Sequence, residues 1–365
     1  MKFRCERDLL AEALSVTARA VPARGSGPAP GSLRLEVLGD KLVLLGTDTE
    51  MAVESSIEVS GLGDGTCMVP ARLALDAVKS MPQGAVTVES DELEARISGA
   101  RSQFNLRVAP EVEMPVPKPP TSEAVGIDAT ELAEALRQVV RAASNDNDRP
   151  SLTGILLTSQ GNGMRFVATD SYRLALRDLP GRSLVSPEGR ILLPSRSMAE
   201  LQRLLSAHQG QVDVYFGDLE VWFALGSVRL MSRVLRAEFP NYEKLIPDSA
   251  SNRLLIGKEA ALDALRRARL LVKDVTSSVR IRTSPTGIEV SASSAELGEV
   301  AEDIEASYEG EEMVLGFNPV FLMEAIEAVA GDEVVMEMRD VSKPVLIRAA
   351  ESADYICVLM PIRVV

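Results

Sequence analysis

The sequence predicts an α+β fold with antiparallel sheets, built as three similar units of roughly one-third of the chain each. Three observations predict it. First, Ala168-Thr169-Asp170-Ser171-Tyr172-Arg173-Leu174-Ala175-Leu176 reads as strand, polar turn and strand, and Gly46-Thr47-Asp48-Thr49-Glu50-Met51-Ala52-Val53 is an earlier copy. Second, the 122 residues between the two Thr-Asp pairs also separate Ala11-Glu12-Ala13-Leu14 from Ala133-Glu134-Ala135-Leu136, while Val69-Pro70-Ala71-Arg72 returns 124 residues on as Leu193-Pro194-Ser195-Arg196. Third, a fainter copy keeps the order. Gly257-Lys258-Glu259-Ala260-Ala261-Leu262-Asp263-Ala264-Leu265 resembles the helix starts near Asp8 and Asp128, Val290-Ser291-Ala292-Ser293-Ser294 replaces the Thr-Asp strand, and Leu315-Gly316-Phe317-Asn318-Pro319 follows the Pro194 element. One interval shared by unrelated local patterns marks a duplicated domain. The expected domains are 1–120, 121–249 and 250–365.

In the first unit a helix is expected from near Asp8, with Leu10, Leu14, Thr17 and Val21 on one face. The Gly- and Pro-rich stretch Ala23 to Gly31 breaks the chain before strands at Leu33–Val37 and Leu42–Leu45. A second helix covers about 71–80 and stops at Met81-Pro82; strands at Ala85–Glu89, Leu93–Ile97 and Phe104–Val108 follow. Pro115, Pro117, Pro119 and Pro120 make 111–121 an extended linker.

The second unit opens at Asp128, which with Glu131 three residues later forms a capping-box-like start. Leu132, Leu136, Val139 and Val140 form its buried face. After the polar turn Ser144–Pro150, strands are expected at 155–158, 164–168 and 174–177. A helix from Ser195 to about Ala207 follows, then strands at 212–216, 220–225 and 227–232. Phe239 to Pro247 reads as the second linker. The third unit repeats this order: a helix over about 259–272, strands at 279–283, 287–291 and 300–305, a helix capped by Asn318-Pro319, and strands at 333–339, 345–349 and 355–360.

Composition closes several routes to function. An apolar fraction of 46% fills real cores, and no apolar run approaches the ~18 residues that span a bilayer. The charged start, Met1-Lys2-Phe3-Arg4-Cys5-Glu6-Arg7-Asp8, does not read as a signal peptide. Cys5, Cys67 and Cys357 are scattered without CxxC spacing, so a reducing cytoplasm is expected, with no disulfide scaffold, metal or cofactor. His208 is the only histidine, at a predicted helix end, and no GxSxG elbow accompanies it. Gly61-Leu62-Gly63-Asp64-Gly65 falls short of a dinucleotide fingerprint and reads as a turn. The Thr169-Asp170 pair is a turn whose Asp satisfies backbone donors, since its copy has no general base. No enzyme is expected.

Charge is unevenly placed. The six helical stretches together carry +3 against −14 for the whole chain, which leaves −17 for everything else. A mild positive lining in an acidic body suits loose, non-specific phosphate attraction. Three similar units joined by short linkers favour a quasi-symmetric body that closes through a head-to-tail contact.

The start Met1-Lys2-Phe3, Leu45-Gly46-Thr47-Asp48-Thr49-Glu50-Met51, Val69-Pro70-Ala71-Arg72, Val167-Ala168-Thr169-Asp170-Ser171-Tyr172-Arg173-Leu174-Ala175, Phe239-Pro240-Asn241-Tyr242 and the ending Met360-Pro361-Ile362-Arg363 resemble the bacterial DNA polymerase III beta subunits, the replicative sliding clamps. The resemblance spans the chain in order. It implies two three-domain subunits closed head to tail into a homodimeric ring around double-stranded DNA, with helices lining the hole. It also implies one pocket between domains two and three. That pocket takes short peptides from the replicative DNA polymerase alpha subunit, the clamp loader, repair polymerases and mismatch-repair proteins.

Carried over by motif, the pocket comprises Leu152, Gly154, Thr169, Tyr172, Arg173, Leu174, Pro240, Leu245, Val358, Met360, Pro361, Ile362 and Arg363. The DNA-facing set is Arg24, Arg72, Lys79, Arg137, Arg141, Arg149, Arg196, Arg203, Arg266 and Arg267. The subunit contact sets Arg96, Arg101, Phe104 and Leu106 of the first unit against Leu270, Leu271, Glu296, Glu299 and Glu302 of the third. Three departures are the degenerate Gly27-Pro28-Ala29-Pro30-Gly31, Pro150-Ser151 where some members carry aromatics, and the tail Val364-Val365. A cytoplasmic repeat scaffold that binds proteins without enclosing DNA is the alternative reading. A carboxylate-based hydrolase, supported only by abundant Asp and Glu, comes third.

Overall fold

The computed structural model describes residues 1–22, 31–109, 116–118, 121, 123–181, 189–272 and 278–363. They form two compact bodies, residues 1–132 with 199–234 and residues 133–198 with 235–365, so the middle of the chain contributes to each.

In chain order the first third gives β1 (Lys2–Glu6), α1 (Arg7–Thr17), β2 (Ser32–Leu38), β3 (Lys41–Thr47), β4 (Met51–Glu58), β5 (Ser60–Gly63), β6 (Gly65–Pro70), α2 (Ala71–Ser80), β7 (Ala85–Ser90), β8 (Glu94–Gly99) and β9 (Ser102–Arg107). The middle gives β10 (Val125–Asp128), α3 (Ala129–Val139), β11 (Gly154–Gln160), β12 (Gly163–Thr169), β13 (Arg173–Leu179), β14 (Arg190–Pro194), α4 (Ser195–Leu205), β15 (Gln211–Phe216), β16 (Glu220–Leu225) and β17 (Val228–Arg233). The last third gives β18 (Asn252–Gly257), α5 (Lys258–Arg269), β19 (Val279–Ser284), β20 (Gly287–Ser294), β21 (Gly298–Glu309), β22 (Val314–Phe317), α6 (Pro319–Ala328), β23 (Glu333–Met338), β24 (Val345–Ala349) and β25 (Tyr355–Leu359).

The repeat is now visible as a rule: every helix is fed directly by a short strand. β1, β6, β10, β14 and β18 each run into the next helix with no intervening residue, and β22 does so through the single residue Asn318. Asn318 Oδ1 accepts from the backbone N–H of Val320 at 2.9 Å and Phe321 at 3.3 Å, with Pro319 as first helical residue. Asp128 Oδ1 does the same for Thr130 at 2.9 Å and Glu131 at 3.2 Å. Those direct junctions explain a miss. β1, β6, β10, β14, β18 and β22 are short strands joined to their helices with no loop between, so the sequence pattern merges each with its helix. β5 is four residues with three exposed and has no pattern to read.

The duplicated turn is one hydrogen-bond cassette built twice. Thr47 Oγ1 donates to Met51 O at 2.8 Å and accepts from Thr49 N at 3.0 Å; Thr169 Oγ1 donates to Arg173 O at 2.7 Å and accepts from Ser171 N at 3.2 Å. Asp48 Oδ1 accepts from Glu50 N and Met51 N at 3.1 and 2.7 Å, and Asp170 Oδ1 from Tyr172 N and Arg173 N, both at 2.9 Å. These acceptors hold Thr49 at φ 78° and Ser171 at φ 82°, a left-handed conformation that a side chain disfavours unless its surroundings fix it.

Each cassette feeds a strand that joins a later part of the chain. β4 pairs with β17 in an eight-stranded sheet, β10-β15-β16-β17-β4-β3-β2-β6. β13 pairs with β25 in a twelve-stranded sheet, β14-β11-β12-β13-β25-β24-β23-β18-β21-β20-β19-β22. A five-stranded sheet, β5-β1-β7-β8-β9, completes the first body, and α1 and α2 bury Leu10, Leu14, Ala74 and Val78 in its core with Phe3, Leu33 and Leu42.

Part of the expected second linker is core, while Asn241, Glu243, Lys244 and Leu245 stay exposed. Phe239 and Tyr242 are buried among Leu156, Val167, Leu174, Leu176, Leu192 and Val358, their rings edge to face at 6.3 Å. Two aromatics that meet a sheet laid down some 70 residues earlier leave no local mark of burial. α4 ends at Leu205 and α5 at Arg269, short of the expected Ala207 and Val272. The Pro-rich linker lies mostly outside the described residues, as do Arg24, Gly27 to Pro30 and the tail Val364-Val365.

Candidate functional site

Where β13 meets β25, the second cassette and the chain end enclose a cavity of about 350 Å³. Its floor is apolar: Leu174 faces Val358 across the two strands, and both are buried. Tyr172 is 63% exposed, because its residue sits at the tip of the Asp170 turn, and Met360 is 41% exposed. Met360 is held in place by its backbone N–H, which donates to Tyr172 O at 3.0 Å. Leu245, 47% exposed, ends the 3-10 turn Tyr242–Leu245, and residues 246–249 continue the wall. Three large apolar side chains left in water around a buried aliphatic floor form a receptor for apolar groups, with thioether and phenol adaptable in shape.

Of the expected pocket residues, Thr169, Tyr172, Arg173, Leu174, Leu245, Val358 and Met360 line this cavity. Leu152, Gly154, Pro240, Pro361, Ile362 and Arg363 do not. Leu152 is a buried end of the 3-10 turn Pro150–Leu152. Gly154 is a close approach: a Cβ there would lie 2.8 Å from Leu192 Cδ1 and 2.9 Å from Leu235 Cδ1. Ile362 leads the tail away, its N–H donating to Gly316 O at 2.8 Å beside β22.

Arg173 lines the cavity, but its guanidinium is committed to other parts of the same body. Its side chain is 9% exposed and turned inward. Nε binds Asp170 Oδ2 at 3.1 Å, one Nη pairs with Glu324 on α6, the other donates to Arg141 O, and the guanidinium lies 4.2 Å above the Phe321 ring. It is the foundation of the pocket. The cations in the lining that sequence reasoning missed are Lys244, Arg339 and Lys343. Lys244 lies in the 3-10 turn Tyr242–Leu245, Arg339 directly after β23 and Lys343 in the β23–β24 turn, so they meet only in the fold and no local pattern exposes them.

The expected DNA-facing cations divide. Arg72, Lys79 and Arg196 are exposed on α2 and α4. Arg203, Arg266 and Arg267 pair with Glu200 at 3.2 Å, Asp263 at 2.8 Å and Glu302 at 2.7 Å. Arg141 pairs with Glu327 at 2.9 Å, and Arg149 binds Asp146 at 2.8 Å and Ser171 Oγ at 2.9 Å. Arg137 is half-buried and committed elsewhere: it binds Glu134 and donates to the carbonyls of Glu327 and Ala328, capping the end of α6. Arg19, which the sequence analysis passed over, binds Glu200 at 3.0 Å, and that carboxylate is 4% exposed.

At the expected subunit contact, β9 is the edge of the five-stranded sheet, with Phe104 exposed on it, Arg101 exposed in the turn before it and Arg96 exposed on β8. Leu106 is corrected: at 3% exposure it belongs to the first body's own core, while Phe104, two residues earlier on the same face of β9, is left 37% exposed. On β21, residues 298–305 pair with β20 and residues 306–309 with β18, so the first stretch has a ladder on one side only. Glu296 and Glu299 are exposed near it, as is Leu270 at 76%, with Leu271 half-buried.

The thiols play no part. Burial pushes Cys5 and Cys357 up to about 12 and raises Cys67, so none forms a thiolate near neutrality. Among the described residues no cluster of His, Cys, Asp and Glu is placed to hold a metal ion, and no helix is long and apolar enough to cross a membrane.

Comparison with known proteins gives three matches in tandem. They are the models of the DNA polymerase III beta subunit N-terminal domain over residues 1–117, central domain over 126–241 and C-terminal domain over 243–363. A beta sliding clamp of Staphylococcus aureus is 28% identical over 375 residues, covering 100% of this chain and 99% of the relative. The crystal structure of the DNA polymerase sliding clamp from Bacillus subtilis matches with a TM-score of 0.92, 28% identity and 100% of both chains. That of a sliding clamp from Bartonella birtlesii bound to griselimycin matches with a TM-score of 0.94, 26% identity and 100% of both chains.

Proposed function

The chain belongs to the DNA polymerase III beta subunit family, and from that premise we propose that two copies joined head to tail enclose duplex DNA and tether a polymerase for processive synthesis. One observation carries the reading: the family's three domain models match in order over nearly the whole length. The chain is an accessory subunit of a polymerase, not a catalyst. We take its domains as 1–120, 121–249 and 250–365.

The physics of such a device fits the charges. Topological retention needs no tight phosphate grip, and a chain of net −14 makes none. The exposed arginine–carboxylate pairs on the helices hold by about 0–1 kcal/mol each, so a passing phosphate exchanges with them readily. Contact between copies would extend the β9 edge of one against the half-open β21 of the other, with Arg96 and Arg101 meeting Glu296 and Glu299. The cavity at Tyr172, Leu245 and Met360 would receive short apolar peptides from the replicative polymerase alpha subunit, the clamp loader, repair polymerases and mismatch-repair proteins, all in the cytoplasm.

The test is retention on circular DNA. Loaded by a clamp loader with ATP onto a nicked circle, the protein should co-elute with the DNA at a salt concentration that strips non-specific binders, and leave when the circle is cut once. A scaffold that never encloses DNA would show no retention on either form.

A further inference from the structure

The duplication gives side chains of the first body counterparts in the second. The first helix of a unit recurs after 122 residues, so Glu12, Ser15, Val16 and Arg19 answer to Glu134, Arg137, Gln138 and Arg141. The second helix recurs after 124, so Glu200, Arg203 and His208 answer to Glu324, Glu327 and Asp332. In the second body the space between the two helices is filled. Arg137 reaches from α3 to the end of α6 and donates to Glu327 O at 3.1 Å and Ala328 O at 3.0 Å, and Gln138 donates to Ala328 O at 2.8 Å. In the first body the short Ser15 and Val16 stand in their place. A cavity of about 470 Å³ opens there, between α1, the last turns of α2 and α4, and the β16–β17 turn.

The charge has turned over as well. The second body sets Arg137 and Arg141 against Glu134, Glu324, Glu327 and Asp332. The first sets Arg19, Arg203 and, from α2, Lys79 against Glu12 and Glu200, with His208 beside them. Glu200 is withdrawn from the lining: its carboxylate is 4% exposed, with one oxygen bound by Arg19 at 3.0 Å and the other by Arg203 at 3.2 Å. A guanidinium has five N–H donors, so each arginine is anchored and keeps donors to spare. Glu12 is then the one carboxylate of the lining, facing three cations. Val16, Leu204, Leu225 and Val228 add an apolar wall.

We propose that this cavity binds a small amphipathic anion of mononucleotide size, its phosphates held by Arg19, Lys79 and Arg203 and its ring laid on Val16, Leu204 and Leu225. The volume lies within the range of about 300–1,000 Å³ that suits small ligands. The chain's net charge of −14 opposes an anion only at a distance, since that field is screened beyond about 8–10 Å. A duplex offers the same phosphates but keeps its bases stacked, so only a free nucleotide uses both the cations and the wall. The site lies within one body and does not depend on how copies assemble.

The experiment is fluorescence titration of the full-length protein with a methylanthraniloyl derivative of ADP. Wild type should saturate below about 1 mM. Ser15→Arg with Val16→Gln writes the second body's residues into the first; it should fill the cavity and weaken binding about tenfold or more. Arg203→Ala, which leaves Glu200 its bond from Arg19, should weaken binding about tenfold without filling anything. Unlabelled ADP should displace the probe at concentrations where inorganic phosphate does not. No saturation would overturn the site, and binding that survives either variant would overturn its assignment to this cavity. Phosphate displacing as well as ADP would overturn the amphipathic class. A short duplex that displaces the probe better than ADP would give these cations to DNA and sink the small-ligand reading.

Discussion

Arg267 on α5 and Glu302 on β21 form a two-pronged ion pair, with Nε 2.7 Å from Oε2 and the second nitrogen on Oε1. The sequence set one of them toward DNA and the other toward a second subunit, and the fold gives each to the other. The pair ties the basic helix to the strand whose outer edge is half open. Its effect on either face is therefore exerted jointly.

The pair has a pH signature. Glu302 is held below the ordinary glutamate value of 4.5, first by its hydrogen bond from Arg267. A group with a depressed folded pKa stabilises above its unfolded value and loses that contribution as pH falls through the folded value. Carbon-detected NMR of the Glu302 carboxyl should therefore show a midpoint below 4.5, moving up toward that value in Arg267→Ala. An unmoved midpoint would mean the pair does not persist in solution.

The pocket is best tested where packing and binding separate. Tyr172→Ala and Met360→Ala remove half-exposed groups, so peptide affinity should drop at least tenfold in calorimetry while the urea midpoint stays near wild type. Leu174→Ala is less clean. That side chain is 2% exposed, and its loss should cost about 2–5 kcal/mol of stability as well.

Arg173 should behave as a structural residue. Truncation to alanine leaves Glu324 and Asp170 without their cation and uncovers Phe321, so denaturant titration should show a loss of about 2–4 kcal/mol. Lysine should recover less than half, because a point charge cannot make the forked contacts or stack on the ring. Wild-type stability in the alanine variant would refute the foundation role.

On the proposed contact between copies, Phe104 and Leu106 are two residues apart and should give opposite phenotypes. Phe104→Arg and Leu270→Asp alter exposed apolar groups, and light scattering should report monomers of nearly unchanged stability. Leu106→Ala digs into the core and should lower stability by about 2–5 kcal/mol while leaving the dimer intact in native buffer.

Much of this was legible in the chain. Thr47-Asp48 and Thr169-Asp170 announced the duplication because each cassette is local: every donor and acceptor lies within four residues. The helices were legible because their caps, Asp128 and Asn318, and their apolar spacing are local too. What escaped depends on distance. Leu106 looked like an interface residue until the core of the first body closed over it. Arg173 read only as a pocket residue, because its partners Glu324 and Phe321 come from about 150 positions downstream. Lys343 carries no motif at all, and acquires meaning only where β24 runs beside β25.

The pairing of β4 with β17 has one more consequence. Five residue pairs, Ser55 with Val228 through Met51 with Ser232, zip the first third of the chain to the middle third. A protease that nicked the polypeptide anywhere between β9 and β10 would sever the thread without parting the cloth. The two fragments would stay laced together by backbone hydrogen bonds until a denaturant undid the seam.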